Sequence, residues 1–179
     1  ELLGSSANDT LAGGAGADSL AGGAGNDEFV YAKGEFNATL ALGGQIIDAS
    51  IDGGDGTDRI VIQSGVTFSD DERFVVSFDK VSSIEELIVQ GYGPGSASSQ
   101  IYLDGTAETA GISTVRLTSP NDGNVIDVSE YTTLGVTMEG GNSTNTLTGG
   151  GGDDNITGGD SNDTITGGAG ADSLTGGTS

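Results

Sequence analysis

The sequence predicts an all-β fold: a right-handed parallel β-roll, or β-solenoid, in which short strands stack along one axis. Two observations predict this fold. A nine-residue motif rich in Gly and Asp recurs in two arrays, one near each end of the 179-residue chain. Between the arrays, β-branched and aliphatic residues alternate with Ser, Thr and Glu, which is the period of a strand and not of a helix.

A typical copy of the motif has paired glycines, an Asp at its sixth position and one aliphatic or aromatic residue at its eighth. The first six residues predict a turn, since Gly adopts positive φ without steric cost and Asn or Asp tolerates it. The last three residues predict a strand that is stable only beside equivalent strands of neighbouring copies. The near-copies begin at Gly4, Gly13, Gly22, Gly53, Gly140, Gly149, Gly158 and Gly167, and a further one starts at Gly176.

Two copies make one flattened coil with a turn at each end. Coils stacked roughly 4.8 Å apart place turn above turn. Asp carboxylates and turn carbonyls of copies n and n+2 then converge on the gap between the turns. We expect the eighth-position side chains to point inward as the core of the arrays: Leu11, Leu20, Phe29, Ile60, Leu147, Ile156, Ile165 and Leu174.

Converging carboxylates need a cation, because like charges a few ångströms apart are unfavourable unless they are neutralised. An irregular oxygen cage suits Ca²⁺ better than Mg²⁺, which requires a tight octahedron. The absence of His and Cys argues against zinc, iron and copper. We therefore expect several Ca²⁺ ions. The predicted ligands are the side chains of Asp9, Asp18, Asp27, Asp58, Asn145, Asp154, Asp163 and Asp172, with the turns at Gly13, Gly14, Gly16, Gly22, Gly23, Gly25, Gly149, Gly150, Gly152, Gly158, Gly159, Gly167, Gly168 and Gly170.

The spacing of the copies predicts which Asp residues share an ion. Asp9 pairs with Asp27, and Asp154 pairs with Asp172. Asp18 lies on the opposite edge of the roll. The first copy lacks two of the usual glycines, which leaves its turn geometry open.

The chain divides into an N-terminal array (1–30), looser coils (31–139, with one repeat at 53–61) and a C-terminal array (140–179), all in one continuous solenoid. In the looser coils, strand-to-strand offsets of about 21 to 28 residues fit one enlarged two-strand coil. About eight coils would give a rod of roughly 40 Å, with a fuller apolar core and little metal in its middle. The expected strands are 39–42, 74–78, 84–89, 101–104, 112–117, 125–128 and 134–138.

The segment 45–62 leads back into the roll through an aliphatic pair, an Asp and one nonapeptide. Its candidate ligands are Asp48, Asp52 and Asp58, of which Asp58 fits the motif best.

Composition limits the partners. The chain has 27 acidic and 5 basic residues and a net charge of −22, so phosphates of nucleic acid and anionic membrane surfaces would repel it. We expect no membrane insertion.

A flexible acidic linker is the alternative to the roll, but the eighth-position residue keeps its register in every copy. With no Cys for disulfides, metal is the expected staple. The sequence looks like part of a longer chain.

The lines GGAGADSLA, GGAGNDEFV and GGGGDDNIT resemble the calcium-binding nonapeptide of RTX proteins. The stretches SIEELIVQG and GISTVRLTS are similar to strands in the calcium-binding part of Gram-negative surface-layer proteins of the Caulobacter kind. These resemblances imply type I secretion and calcium-driven folding outside the cell. They imply a structural module that self-associates in a surface lattice, and cell-surface glycan is a candidate further partner. The alternatives are the C-terminal folding module of a type I-secreted enzyme or toxin, and the spacer of a large adhesin.

We expect no enzymatic activity. The acidic run 69–73 could pair two carboxylates for glycoside chemistry, but a solvated turn explains it better. The chain has no His or Cys to act as base or nucleophile, and no Ser stands in a nucleophile-elbow motif. Acidic residues of the looser coils, Glu108 among them, are expected to be extra calcium ligands or solvated charges. The four Tyr residues are expected to cover the core, and 91–99 is expected to be a surface loop.

Overall fold

The computed structural model describes residues 1–32, 48, 50–63, 74–76, 78–90, 98–118 and 122–178. Within these ranges the chain forms short β-strands and one short helix. The elements are β1 (Leu2–Leu3), β2 (Thr10–Leu11), β3 (Ser19–Ala24), β4 (Glu28–Tyr31), β5 (Ser50–Asp55), β6 (Arg59–Ile62), β7 (Phe74–Val76), β8 (Val81–Ser82), β9 (Glu86–Val89), β10 (Gln100–Leu103), α1 (Gly105–Ala110), β11 (Thr114–Leu117), β12 (Asn124–Asp127), β13 (Thr137–Glu139), β14 (Asn145–Thr148), β15 (Asn155–Asp160), β16 (Thr164–Thr166) and β17 (Ser173–Thr178).

The strands form three parallel sheets. One long sheet has eight strands in the order β2-β4-β6-β9-β11-β13-β15-β17. The other strands form a four-stranded sheet, β1-β3-β5-β8, and a five-stranded sheet, β7-β10-β12-β14-β16. Between successive strands of the long sheet the chain forms one strand of a shorter sheet, except between β6 and β9, where β7 and β8 belong to the two different shorter sheets. The eight strands of the long sheet therefore correspond to eight coils in the described part of the chain. The predicted parallel β-roll is confirmed, while its right-handed winding and the segment boundaries stay predictions.

The strand register follows the repeat. In the arrays, Leu11 pairs with Phe29 and Ile156 pairs with Leu174, so two nonapeptides make one coil. In the looser coils the partners lie further apart in sequence, as when Val115 pairs with Leu87. The predicted strands of this region are present wherever the structure describes them, although several are shorter than predicted.

The core is a column of side chains between the sheets. Phe29, Ile60, Leu147 and Ile156 are fully buried, as the repeat pattern predicts. Leu174 departs from the prediction, because it lies in the last described coil and remains 48% exposed. The middle coils have the richer core, with further buried positions at Ile84, Leu87, Val89, Ile101, Leu103, Ile112, Val115, Leu117, Ile126, Val128 and Met138.

Helix α1 replaces the turn between β10 and β11, which the sequence pattern did not predict. The Asp104 side chain accepts a hydrogen bond from the Thr106 N–H at 2.9 Å and so caps its first turn. Gly111 ends it in the left-handed conformation with φ 101°. Ala107 and Ala110 turn one face of the helix into the core. A helix of six residues is too short for hydrophobic periodicity to reveal.

Glu108 of α1 joins this coil to the next. Its carboxylate accepts backbone N–H bonds from Thr132 at 2.9 Å, Thr133 at 2.8 Å and Leu134 at 2.9 Å. Desolvation raises the pKa of Glu108, but the N–H donors of Thr132, Leu134 and Thr133 outweigh it and lower the pKa to about 2. Glu108 is therefore neither a free calcium ligand nor a merely solvated charge, as the sequence suggested, but a carboxylate bridge between two turns.

The remaining sequence predictions have mixed outcomes. Tyr31 and Tyr131 are buried against the core as expected. The strand predicted at 39–42, the acidic run 69–73 and the tip of the loop at 91–97 lie outside the described residues. Among the residues that the structure describes, no helix has the length and hydrophobicity needed to cross a bilayer.

Glu108→Gln should destabilise the roll by about 1–2 kcal/mol at pH 7, because three N–H donors lose a charged acceptor. The folded pKa of Glu108 lies near 2, below its ordinary value of 4.5. Its contribution is thus fully present above about pH 4.5 and is lost as the pH falls toward 2. Thermal unfolding of both proteins between pH 7 and pH 3 should show the difference shrinking.

The matched control is Glu130→Gln, which changes an exposed carboxylate close in sequence to the same turn. It should show no such pH-dependent difference from the wild type. A difference between Glu108→Gln and the wild type that stays constant with pH would contradict the carboxylate bridge.

Candidate calcium sites

The parallel register stacks most sixth positions of the repeats into two columns, while Asp18 precedes β3 in the four-stranded sheet. The long-sheet column contains the residues that precede successive strands of the long sheet: Asp9, Asp27, Asp58, Glu85, Ser113, Val136, Asp154 and Asp172. The short-sheet column contains the equivalent residues of the five-stranded sheet: Ser99, Asn124, Asn145 and Asp163. Carboxylates therefore cluster toward both ends of the roll, and neutral side chains occupy the middle.

In five of the column Asp residues, one carboxylate oxygen joins two coils; Asp9 belongs to the first coil, and its carboxylate bonds Ser5 of its own turn. Oδ1 of Asp27 accepts a hydrogen bond from the backbone N–H of Asp9 at 2.8 Å. Oδ1 of Asp172 accepts one from the N–H of Asp154 at 3.0 Å. The structure thus brings together both Asp pairs predicted to share an ion, but their role as ligands stays a prediction. The same bond joins Asp58 to the N–H of Asp27, Asp154 to that of Val136 and Asp163 to that of Asn145.

The second oxygen differs among these carboxylates: Oδ2 of Asp154 accepts the Gly150 N–H at 2.9 Å and Oδ2 of Asp9 accepts the Ser5 N–H at 2.5 Å, whereas three others have no such partner. Oδ2 of Asp27, Asp58 and Asp163 is buried and accepts no hydrogen bond. It lies against the first glycine of its own repeat, where a carbonyl of the adjacent coil also approaches. A Cβ built on Gly22 would stand 2.2 Å from Asp27 Oδ2 and 2.5 Å from the Gly53 carbonyl oxygen. Carboxylate and carbonyl oxygens of stacked coils therefore converge at the same point.

This convergence is unfavourable for negative charge alone. Burial is the largest factor that raises the pKa of Asp58, and the nearby carboxylates of Asp27, Glu85 and Asp52 raise it further, against the lowering effect of the Asp27 N–H. A buried oxygen without a partner carries the full desolvation penalty. A cation bound between the turns would remove both penalties.

The donor set fits calcium held largely by the backbone. Among the described residues, no three His, Cys, Asp or Glu side chains come together as a ligand group. A cation in a column would therefore take carboxylates from the two turns that it joins and complete its shell with turn carbonyls. Ca²⁺ accepts such mixed oxygen ligands in irregular geometry.

The predicted turn glycines fall into three groups. Those at the first position of a repeat face the Asp of that repeat, as at Gly13, Gly22, Gly149, Gly158 and Gly167. Most of the others have a positive φ, a backbone conformation that is strained for a residue with a side chain. These are Gly14, Gly16, Gly23, Gly25, Gly159, Gly168 and Gly170. Gly150 and Gly152 have no positive φ, but a Cβ on either would collide with the turn of the preceding coil at Tyr131 or Gly135.

Two predicted candidates in segment 45–62 have other partners. Asp48 is buried and accepts hydrogen bonds from the Tyr31 hydroxyl and, at 3.0 Å, from the Asp18 N–H. Asp52 is exposed and accepts a hydrogen bond from the Ser82 hydroxyl at 3.0 Å. Asp58 is the member of this group that lies in the long-sheet column.

Asn145 belongs to a ladder of hydrogen-bonded amides. Its Nδ2 donates to Asp163 Oδ1 at 3.0 Å, and its Oδ1 accepts from Asn124 Nδ2 at 3.2 Å. Oδ1 of Asn124 accepts in turn from the Ser99 N–H at 2.9 Å. The short-sheet column thus changes from carboxylate to amide toward the middle of the roll, where Asn145 and Asn124 hydrogen-bond to each other.

Comparison with known proteins agrees with this geometry. Residues 2–35 and 139–178 match the family model described as the RTX calcium-binding nonapeptide repeat (4 copies). The chain carries RTX repeats. RTX repeats bind multiple calcium ions, so calcium is the cofactor of the two arrays, whose role is structural. No curated protein and no solved structure matches the chain significantly.

Asp154→Asn and Asp172→Asn should each remove or weaken the same calcium ion, because the two residues stand at the same position of adjacent coils and Asp172 Oδ1 accepts the Asp154 N–H. Isothermal titration with Ca²⁺ should show the same lowered stoichiometry for each variant. The double variant should lose no further ion. Asp160→Asn, a change of an exposed carboxylate in the neighbouring repeat, should bind as the wild type does. Wild-type stoichiometry in both single variants would contradict the pairing.

Proposed function

We propose that this chain is a non-catalytic structural module that folds outside the cell when calcium binds, and that it assembles in a surface layer. The observation that carries the proposal is the pair of columns in which buried carboxylate oxygens without hydrogen-bond partners face turn carbonyls of the next coil. In each such gap, each of the two stacked turns would supply part of the oxygen ligands of one calcium ion.

The free energy of folding in the arrays supports this role. Each repeat contributes one aliphatic or aromatic side chain to the core, and the last two of these are not fully buried, since Ile165 is partly buried and Leu174 is exposed. This core is sparse for the number of residues that must be ordered. Bound calcium supplies charge neutralisation and a cross-link between coils. Because the turns exist only in the folded roll, the binding free energy becomes folding free energy.

The calcium dependence also suggests where the chain folds. Extracellular calcium modules bind with dissociation constants of about 10⁻⁴ to 10⁻³ M. With a net charge of −22, the chain would repel itself and stay expanded at the far lower calcium concentrations of a cytosol. Exposure to external calcium would then compact it. RTX repeat proteins are typically secreted, which agrees with this proposal.

A regular rod suits a lattice. The long sheet presents an outer face on which Arg116 bridges Glu86 and Glu139 of neighbouring coils, both at 3.0 Å. Such ladders give a stiff and repetitive surface that copies of the chain, or cell-surface glycan, could contact. The folding module of a secreted enzyme and the spacer of an adhesin would need the same calcium-driven folding but no sheet assembly.

Removal of calcium with EGTA should abolish the β-sheet circular dichroism of the arrays, and millimolar Ca²⁺ should restore it. The transition should be cooperative, because each ion joins two coils. Mg²⁺ at the same concentration is the control and should restore much less signal. A spectrum that is unchanged between micromolar and millimolar Ca²⁺ would contradict calcium-driven folding.

Electron microscopy of the same samples should show ordered two-dimensional sheets only with Ca²⁺, and rods that stay separate would remove the surface-layer part of the proposal.

A further inference from the structure

The N-terminal run of column carboxylates continues one coil beyond the last nonapeptide of that half. Its last member is Glu85, in the turn that joins β8 to β9. This turn contains no nonapeptide and is three residues long, from Ser83 to Glu85. The parallel pairing of Glu86 with Arg59 nevertheless places Glu85 beside Asp58.

Glu85 makes the column hydrogen bond with a longer side chain. The Asp58 N–H donates to Glu85 Oε2 at 2.8 Å, just as the Asp27 N–H donates to Asp58 Oδ1 at 2.7 Å. The extra methylene of Glu compensates for the shorter turn, so the carboxylate reaches the position that an Asp occupies in a repeat. The backbone also keeps the register, because the Glu85 and Glu86 N–H groups both donate to the Asp58 carbonyl at 3.0 Å.

Ser83 takes the place of the first glycine of a repeat. A Cβ built on Gly53 would stand 1.8 Å from the Ser83 carbonyl oxygen and 2.6 Å from Asp58 Oδ2. The same construction on Gly22 finds the Gly53 carbonyl at 2.5 Å and Asp27 Oδ2 at 2.2 Å. Ser83 places its carbonyl against Gly53 with φ 53°, a left-handed conformation that costs a non-glycine residue free energy.

An unpartnered buried oxygen points into this gap. Asp58 is 0% exposed, and its Oδ2 accepts no hydrogen bond. Among the described residues, neither Asp58 nor Glu85 forms an ion pair, since Arg59 turns outward to Glu28 at 2.6 Å. Two carboxylates and a carbonyl therefore face one another without a balancing charge.

We propose that the gap between the RTX turn Gly53–Asp58 and the turn Ser83–Glu85 is a calcium site that no repeat motif marks. Asp58, Glu85 and the Ser83 carbonyl would hold the ion, which would end the N-terminal calcium run. The next column positions are Ser113 and Val136, which carry no charge. This site rests on the proposed function, because it requires that stacked turns of this roll bind calcium.

The test is the number of Ca²⁺ ions bound by the whole chain, measured by equilibrium dialysis and isothermal titration. Glu85→Gln should bind one ion fewer than the wild type. Glu86→Gln is the matched control: it changes the adjacent carboxylate, which pairs with Arg116 at 3.0 Å on the outer face, and it should bind as many ions as the wild type.

Glu85→Asp keeps the charge but shortens the side chain, and it covers the case in which Glu85→Gln does not fold. This variant should keep the ion count but bind one ion at least tenfold more weakly. Wild-type count and affinity in Glu85→Asp, or a wild-type count in folded Glu85→Gln, would overturn the site. A wild type that binds no calcium would overturn both the proposed function and this site. A wild type that binds calcium, with an unchanged ion count in folded Glu85→Gln, would overturn only the site.

Discussion

The roll depends on how like charges stacked in one column are neutralised. Coils repeat roughly every 4.8 Å along the axis, and the repeat is translational, so a carboxylate at one level is followed by a carboxylate at the next. Asp9, Asp27 and Asp58 follow one another in this way. Buried charges of one sign are strongly unfavourable without a partner. The arrays, residues 1–30 and 140–179, contain no Lys or Arg, so cations bound from solution are the source of positive charge that can balance these carboxylates.

The middle coils satisfy their turns in the opposite way. Ser113 and Val136 remove the charge from the long-sheet column, and amides replace it in the short-sheet column. Between the coils of α1 and β13, the Glu108 carboxylate accepts three backbone N–H groups. There an anion belonging to the chain binds donors, whereas in the arrays an external cation would bind acceptors. The richer apolar core of these coils agrees with a smaller need for metal.

Much of this arrangement could be predicted from the sequence, because the repeat fixes it. A turn of six residues and a strand of three recur in register, which determines the pairing of Leu11 with Phe29, the inward side chains and the meeting of Asp154 with Asp172. The looser strands also follow from their alternation. In each case the signal is periodic, and stacking in a solenoid preserves sequence period as spatial position.

The unpredicted features have no period. Helix α1 is marked only by its caps at Asp104 and Gly111. Glu85 lies in a turn without glycine, so its place beside Asp58 depends on the register of β6 with β9. Asp48, a candidate ligand in the sequence, accepts a hydrogen bond from the Tyr31 hydroxyl that no sequence pattern indicates. Each of these outcomes depends on contacts between segments that no local pattern encodes.

The most direct measurement is a crystal structure grown in millimolar CaCl₂, with an anomalous difference map to locate calcium. The calcium-bridged roll predicts peaks between the turns of Asp9 and Asp27 and between those of Asp154 and Asp172. It predicts no peak between the turns that precede Ser113 and Val136. Ordered array turns without a peak between them, or a peak in the neutral middle of the long-sheet column, would contradict it.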